Sequence, residues 1–319
     1  MHYLGIDIGG TNLVAGIVDE NYKIIAKFRA KTKVPSEPEE FADDLVKTVN
    51  GVLKEANLTL NDVPWVGLGC PGTINPVTGV IEFANNLYFK NVELRKLMQE
   101  RLGGKEILLE NDANAAAYGE YIAGALKGSD NAMAITLGTG LGGGIIINHE
   151  LYSGSNFAGA ELGHTVIVAG GKPCTCGRDG CWESYSSATG LIKITKEHMK
   201  DAPKDSALWT LIDGDINKVN GRTAFDAMRA GDAIGQAVVD EYIYFLGVGL
   251  TNMINIFQPD VVCIGGGICN EGETLLAPLR EFVAKEQYAM NSAKKTVICK
   301  AELGNDAGVI GAAMLGVKV

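Results

Sequence analysis

The sequence predicts an α/β fold made of two copies of one unit around a cleft. Three observations predict it. The chain opens with apolar strands broken at a Gly-Gly-Thr turn (YLGIDIGGTNLVAGIVDENYKII), the same pattern returns from residue 132 (AMAITLGTGLGGGIIINHELY), and strands alternate with helices after each copy. Gly-rich hairpins are common singly, but two at equivalent places in their halves argue for duplication. At roughly 150 residues per domain, a chain of 319 residues also suggests about two domains.

In the first half, YLGIDI and LVAGIVDE read as strands, and Asn21 helps turn the chain into a third, KIIAKFRA. EPEEFADDLVKTVNGVLKEAN places Phe41, Leu45, Val49 and Leu53 at helical spacing. WVGLGC is a short buried strand, ELRKLMQERL a helix ended by Gly103-Gly104, and EILLE a strand. Asn111-Asp112 then opens an Ala-rich helix, DANAAAYGEYIAGAL. In the second half, the repeated strands lead to a polar cysteine-bearing loop (164–181) and several helices, among them a long stretch from about 231 to 257. A strand (VVCIG), a Gly run, a helix, a strand (TVICK) and a final helix from about 307 complete it.

The composition is that of an ordinary globular protein, which excludes disorder, collagen-like repeats and coiled coil. No apolar stretch is long enough to span a membrane, and MHYLGIDIGG has neither the basic start nor the uninterrupted apolar run of a secretory signal. A net charge of −10 with no basic block excludes binding along a nucleic-acid backbone. A cytoplasmic protein that handles a small molecule is expected. Of seven cysteines, Cys70, Cys263, Cys269 and Cys299 sit in or beside apolar runs and read as small buried side chains in strands.

Three glycine-rich turns are candidate phosphate cradles: Gly9-Gly10-Thr11, Gly138-Thr139-Gly140, and Gly265-Gly266-Gly267. Glycine lets consecutive backbone N–H groups approach an anion, and threonine adds a hydroxyl donor. Tight hairpins use the same residues, so it is their recurrence that favours nucleotide phosphate. There is no Walker-type Lys-Ser/Thr loop. Gly138, Gly140 and Gly143 match the dinucleotide fingerprint only formally, because GIIIN reads as a strand where that motif requires a helix. Asp7, at the end of the first strand, would repel a phosphate unless Mg²⁺ intervened. Asp112 has two readings, N-cap of its helix or general base aimed into the cleft; with Asn111 able to take the cap, spacing leaves them open.

His164, Cys174, Cys176 and Cys181 form the donor set of a closed tetrahedral zinc site, structural because all four ligands are protein atoms. A disulfide would leave one cysteine over and is disfavoured in a reducing compartment. Glu161 and Glu183 flank that loop and are placed to accept hydrogen bonds from vicinal hydroxyls such as a sugar offers; solvated surface charge is the alternative. Asn85-Asn86 adds amide groups or simply a turn.

Taken together, LGIDIGGTN, GLGCPGTINPVTGVI, ENDANAAAYGE, LGTGLGGGI, AGAELGH, CTCGRDGCWESYSS and IGGGI resemble the ROK family of sugar kinases and repressors, most closely its bacterial glucokinases. The resemblance covers essentially the whole chain. ExGH followed by CxCGxxGCxE is specific to the family, whereas DxGGT is shared across actin-like ATPases. It implies the actin-like (ribonuclease H-like) fold, with a small domain of 1–112 plus 303–319 and a large domain of 113–302. It implies ATP and Mg²⁺, with Gly10, Thr11 and Thr139 near phosphate and Gly265 and Gly266 near the nucleoside. Asp112 would be the general base, and Gly72, Asn86, Asn111, Asp112, Glu161, His164 and Glu183 would line the sugar, His164 serving zinc with one ring nitrogen and a hydroxyl with the other.

The implied reaction is transfer of the ATP γ-phosphoryl group to the 6-hydroxyl of glucose, by a protein that is a homodimer or higher oligomer. Two alternatives stand beside it. One is a kinase for N-acetylmannosamine, allose or fructose. The other is a non-catalytic sugar-sensing regulator, disfavoured because the first strand begins at residue 3 and leaves no room for a DNA-binding segment.

Overall fold

The computed structural model describes residues 1–317. Its first half runs β1 (Tyr3–Ile8), β2 (Asn12–Val18), β3 (Ile24–Lys31), α1 (Pro38–Glu55), β4 (Val66–Cys70), β5 (Thr73–Asn75), β6 (Val80–Ala84), β7 (Phe89–Val92), α2 (Leu94–Arg101), β8 (Ile107–Asn111) and α3 (Asp112–Ala123). The second runs β9 (Ala132–Leu137), β10 (Leu141–Ile147), β11 (Glu150–Leu151), α4 (Glu183–Ser186), α5 (Ala188–His198), α6 (Ala207–Thr210), α7 (Thr223–Arg229), α8 (Ala233–Phe257), β12 (Val261–Gly265), α9 (Glu273–Glu286), β13 (Val297–Lys300) and α10 (Ala307–Met314).

The duplication is plain in the sheets. One has the order β3-β2-β1-β4-β8 and the other β11-β10-β9-β12-β13. Both carry a hairpin-linked triple followed by two strands reached through helices. In the first sheet β1, β4 and β8 are parallel, with Asp7 level with Gly69 and Gly69 level with Glu110. Their carboxyl ends therefore deliver Asp7, Cys70 and Asn111 to one edge, the edge at which open α/β sheets bind ligands.

The chain divides into two compact units. One comprises Met1–Ala134, Gly144–Ala160 and the segment from Ala301 onward; the other comprises Ile135–Gly143 and Glu161–Lys300. The expected break at 112 thus falls inside the first unit, because α3 packs on α10. A Cβ on Gly311 would lie 1.6 Å from the Ala115 carbonyl oxygen, so the two helix backbones touch where no side chain fits. The core of this unit joins Leu4, Ile6 and Ile8 of β1 to Phe41, Leu45 and Val49 of α1, and Phe41 meets Phe89 edge-on at 5.2 Å. The helical spacing read from α1 is the face that is buried.

Two readings need correction. The segment between β4 and α2 forms a three-stranded sheet, β5-β6-β7, which the sequence did not announce. Of the four cysteines expected in strands, Cys269 lies in a short 3₁₀ turn after β12, and Cys299 in β13 is only partly buried. Among the described residues no helix is long and apolar enough to cross a membrane.

Candidate functional site

The structure assembles the expected residues of the first unit at the strand ends. Gly9 closes the β1–β2 turn with its N–H donated to the Asn12 carbonyl at 2.9 Å. Its own carbonyl accepts the Thr32 hydroxyl at 2.6 Å, leaving Gly10 and Thr11 exposed at the tip. Asn86 lies beside this turn, its Cβ 3.9 Å from where a Cβ on Gly10 would stand. Burial pushes the Asp7 carboxyl up to about 6, and the neighbouring Asp112 charge adds to the effect. Two carboxylates therefore share one poorly solvated edge, an arrangement that favours a cation.

The backbone shows which of Asn111 and Asp112 caps the helix. Asn111 has the extended conformation of an N-cap, and its Oδ1 accepts the N–H groups of Ala113 at 2.9 Å and Asn114 at 3.1 Å. Its Nδ2 donates to the Gly72 carbonyl at 3.0 Å. Gly72 itself has φ +105°, and a Cβ there would meet the Phe83 carbonyl oxygen at 2.1 Å, so this approach requires glycine. Asp112 takes the first helical position, where one carboxylate oxygen accepts the Ala113 N–H at 2.9 Å. Burial raises its pKa above the usual aspartate value, against that hydrogen bond.

Behind it stands a carboxylate that motif reading passed over. Glu110 is 6% exposed, and its Oε1 accepts the Asn111 N–H at 2.9 Å and Asn114 Nδ2 at 3.0 Å. Its signal in the sequence was a charge inside an apolar strand, one residue before the cap.

In the second unit, Gly138 donates its N–H to the Gly140 carbonyl at 3.0 Å and accepts the Ala188 N–H at 2.8 Å. The Thr189 hydroxyl donates to the Thr139 carbonyl at 2.7 Å. Thr32 and Thr189, both missed in the sequence, thus pin the two Gly/Thr turns from outside. A Cβ on Gly266 would meet the Leu137 carbonyl oxygen at 2.3 Å, so Gly266 lies against the end of β9. Glu183, the first residue of α4, accepts the Leu141 N–H at 2.9 Å.

The cysteine loop gathers as expected. His164 Nδ1 lies 3.5 Å from Cys174 Sγ, and Cys176 Sγ lies 3.6 Å from Cys181 Sγ. All four donor atoms fall within 4.8 Å of one another. Donors around one tetrahedral ion with bonds of about 2.0–2.3 Å stand roughly 3.3–3.8 Å apart, so the residues fit a metal. Bridges between Val166 and Cys181 and between Pro173 and Asp179 shape the loop, and Arg178 Nη1 donates to the His164 carbonyl at 3.2 Å. Because Nδ1 faces the thiols, Nε2 is the ring atom left for another partner. Glu161 precedes the short helical turn 162–164 and is exposed.

The twice-repeated sheet, with carboxylates and Gly/Thr turns at its strand ends, is that of the actin-like ATPases. Within that class the chain belongs to the ROK family, whose model matches residues 3–318. It is 37% identical over 314 residues to a glucokinase of Thermotoga maritima, covering 98% of this chain and 96% of that protein. To a glucokinase of Streptomyces coelicolor it is 36% identical over 313 residues, covering 98% of this chain and 96% of that protein. A crystal structure of a ROK family glucokinase from Streptomyces griseus in complex with glucose and AMPPNP matches with a TM-score of 0.82, 35% identity and 99% of each chain covered.

Proposed function

We propose that this chain transfers the γ-phosphoryl group of ATP to the 6-hydroxyl of glucose. Relatives similar over nearly their whole length are glucokinases, and the Streptomyces griseus structure holds glucose with an ATP analogue. The observation that carries the mechanism is the half-buried Asp112 carboxylate, with Asn111 capping the helix in its place.

In this reading Asp112 takes the proton of the 6-hydroxyl as that oxygen bonds to the γ-phosphorus. The bond from phosphorus to the bridging oxygen breaks, and ADP leaves with the electron pair. Gly72, Asn86, Asn111, Glu161, His164 and Glu183 hold the sugar hydroxyls, so that the attacking oxygen is in line; in phosphoryl transfer such positioning and charge stabilisation supply most of the catalysis. Gly10, Thr11 and Thr139 hold phosphate oxygens, and Gly265 and Gly266 lie near the nucleoside. Mg²⁺ held near Asp7 would neutralise phosphate charge. His164, Cys174, Cys176 and Cys181 would hold a structural zinc ion, which would fix the imidazole orientation and leave Nε2 for a hydroxyl. The protein works in the cytoplasm as a homodimer or larger homo-oligomer.

The test is ADP release with ATP, Mg²⁺ and a panel of glucose, N-acetylmannosamine, allose and fructose. Glucose is expected to give the highest kcat/KM. Asp112→Asn is expected to lower turnover about 100-fold or more while sugar binding stays measurable. No turnover with any hexose would overturn the kinase reading, and near wild-type turnover of the variant would overturn the base.

A further inference from the structure

We infer that Glu110 is a positioning residue, whose Oε1 brackets Asp112 by holding the Asn111 N–H and the Asn114 amide together across the strand-to-helix junction. The inference rests on Asp112 being the base. Glu110 is the last residue of β8 but one, and Asn114 sits in the first turn of α3. Its bonds to Asn111 N–H at 2.9 Å and Asn114 Nδ2 at 3.0 Å close a ring around residues 111–113. The cap bonds from Asn111 Oδ1 to the Ala113 and Asn114 N–H groups close a second. Asp112 lies inside both, so its backbone has little freedom to carry the carboxylate away from a reacting hydroxyl. Ser153 Oγ, from the segment after β11, lies 3.5 Å from Glu110 Oε2 and occupies its other side.

A second observation separates this role from mere stability. Glu110 is 6% and Asn114 2% exposed, and among the described residues Asn114 Oδ1 is buried without a hydrogen-bond partner. An apolar pair would avoid both the buried charge and the orphaned acceptor. Sequences depart from such local rules chiefly where function requires it, and here the departure is one position on each side of Asn111-Asp112-Ala113. Displacement of a reacting group by about 1 Å costs on the order of 100-fold in rate, so the bracket has a large effect to protect.

The experiment compares steady-state kinetics of the whole protein with Glu110→Gln, Glu110→Leu and Asn114→Ala, each checked for a cooperative melt. Gln keeps the Oε1 acceptor, so Glu110→Gln is expected to stay within about 3-fold of wild-type kcat. Glu110→Leu, which loses both bonds, is expected to lose about 30-fold or more in kcat with the sugar KM within about 3-fold. Asn114→Ala is expected to fall between. Wild-type kcat in a folded Glu110→Leu overturns the inference, as does an equal loss in Gln and Leu, or a loss confined to KM. Should Glu110→Leu fail to fold, Asn114→Ala decides, and wild-type kcat there overturns it. Asp112→Asn run alongside separates the two readings: its near wild-type activity sinks the base itself, whereas its loss beside an unaffected Glu110→Leu sinks the bracket alone.

Discussion

Glu183 Oε2 accepts the Leu141 backbone N–H at 2.9 Å. This bond ties the residue two positions after Cys181 to the first residue of β10, directly after the Gly138-Thr139-Gly140 turn. It needs Gly140, where a Cβ would stand 2.4 Å from that same oxygen. Gly140→Ala is therefore expected to push Glu183 off Leu141 and, with Glu183 holding sugar hydroxyls as proposed, to raise the glucose KM about 10-fold or more. Titration of glucose at saturating ATP checks it; an unchanged KM would separate Glu183 from the sugar.

Burial raises the Asp112 pKa above the usual carboxylate value of 3.8. A base works only when ionised, so turnover is present above that pKa and lost as pH falls through it. The acid limb of kcat is expected above the ordinary aspartate range. It is measured at saturating ATP, Mg²⁺ and glucose, over pH values where the melt is unchanged. A kcat that stays flat down to pH 4 in a folded protein would exclude Asp112 as the titrating base.

Asp7 carries a folded-state cost that can be measured without substrates. Its carboxyl is raised from 3.8 to about 6 by burial and by Asp112. The folded chain therefore holds that proton more tightly than the unfolded chain, so stability falls as pH rises from 3.8 through about 6, by at most about 3 kcal/mol. In metal-free buffer at pH 8, Asp7→Asn is expected to melt above wild type, and near pH 4 the two should coincide. Added Mg²⁺ should narrow the gap by stabilising the wild-type carboxylate. An Asp7→Asn variant that melts lower at pH 8 without metal contradicts the burial argument.

How much of this was legible in the sequence depended on period and length. Phe41, Leu45, Val49 and Leu53 recur at helical spacing, and all four are buried in α1. The duplication showed because each Gly/Thr turn is flanked by strands of six or seven residues. The β5-β6-β7 sheet did not show, because its strands are three to five residues long and too short for a period to emerge. The cap was ambiguous because Asn and Asp are nearly equal N-cap formers; only the extended backbone of Asn111 decides between them. Glu110 and Asn114 are four apart, but one is in a strand and the other in a helix, so no helical pairing rule connects them.

The metal loop yields a prediction on content and on stability. One zinc ion per chain is expected in protein purified without chelator. Cys176→Ser weakens the donor set where Cys176 and Cys181 stand 3.6 Å apart, and it should lower both metal content and Tm. Because a ligand bound only by the folded state stabilises it by mass action, removal by a strong chelator should lower the wild-type Tm and leave that of a metal-free variant unmoved. Folded, active protein with no metal would defeat the four-ligand site.

The carboxylate of Glu120 gives a test of what joins α3 to the segment leading into α10. Glu120 is 2% exposed; its Oε1 accepts the Leu303 N–H at 2.8 Å, and its Oε2 accepts those of Ala125 at 2.9 Å and Glu302 at 3.1 Å. Three backbone donors from two chain segments thus end on one side chain, which no apolar residue could satisfy. Glu120→Gln can serve only one side with its oxygen and sets its NH₂ against a donor on the other, a loss of about 1–3 kcal/mol. Glu120→Leu leaves all three N–H groups without the carboxylate and should lose more. Both variants are expected to melt lower in that order, while kcat per folded molecule at low temperature stays near wild type, because Glu120 lies at the far end of α3 from Asp112. If Glu120→Leu melts with the wild type, the bonds to residues 302–303 do not stabilise the fold; if kcat falls without a change in Tm, the residue acts on the site and not on the fold.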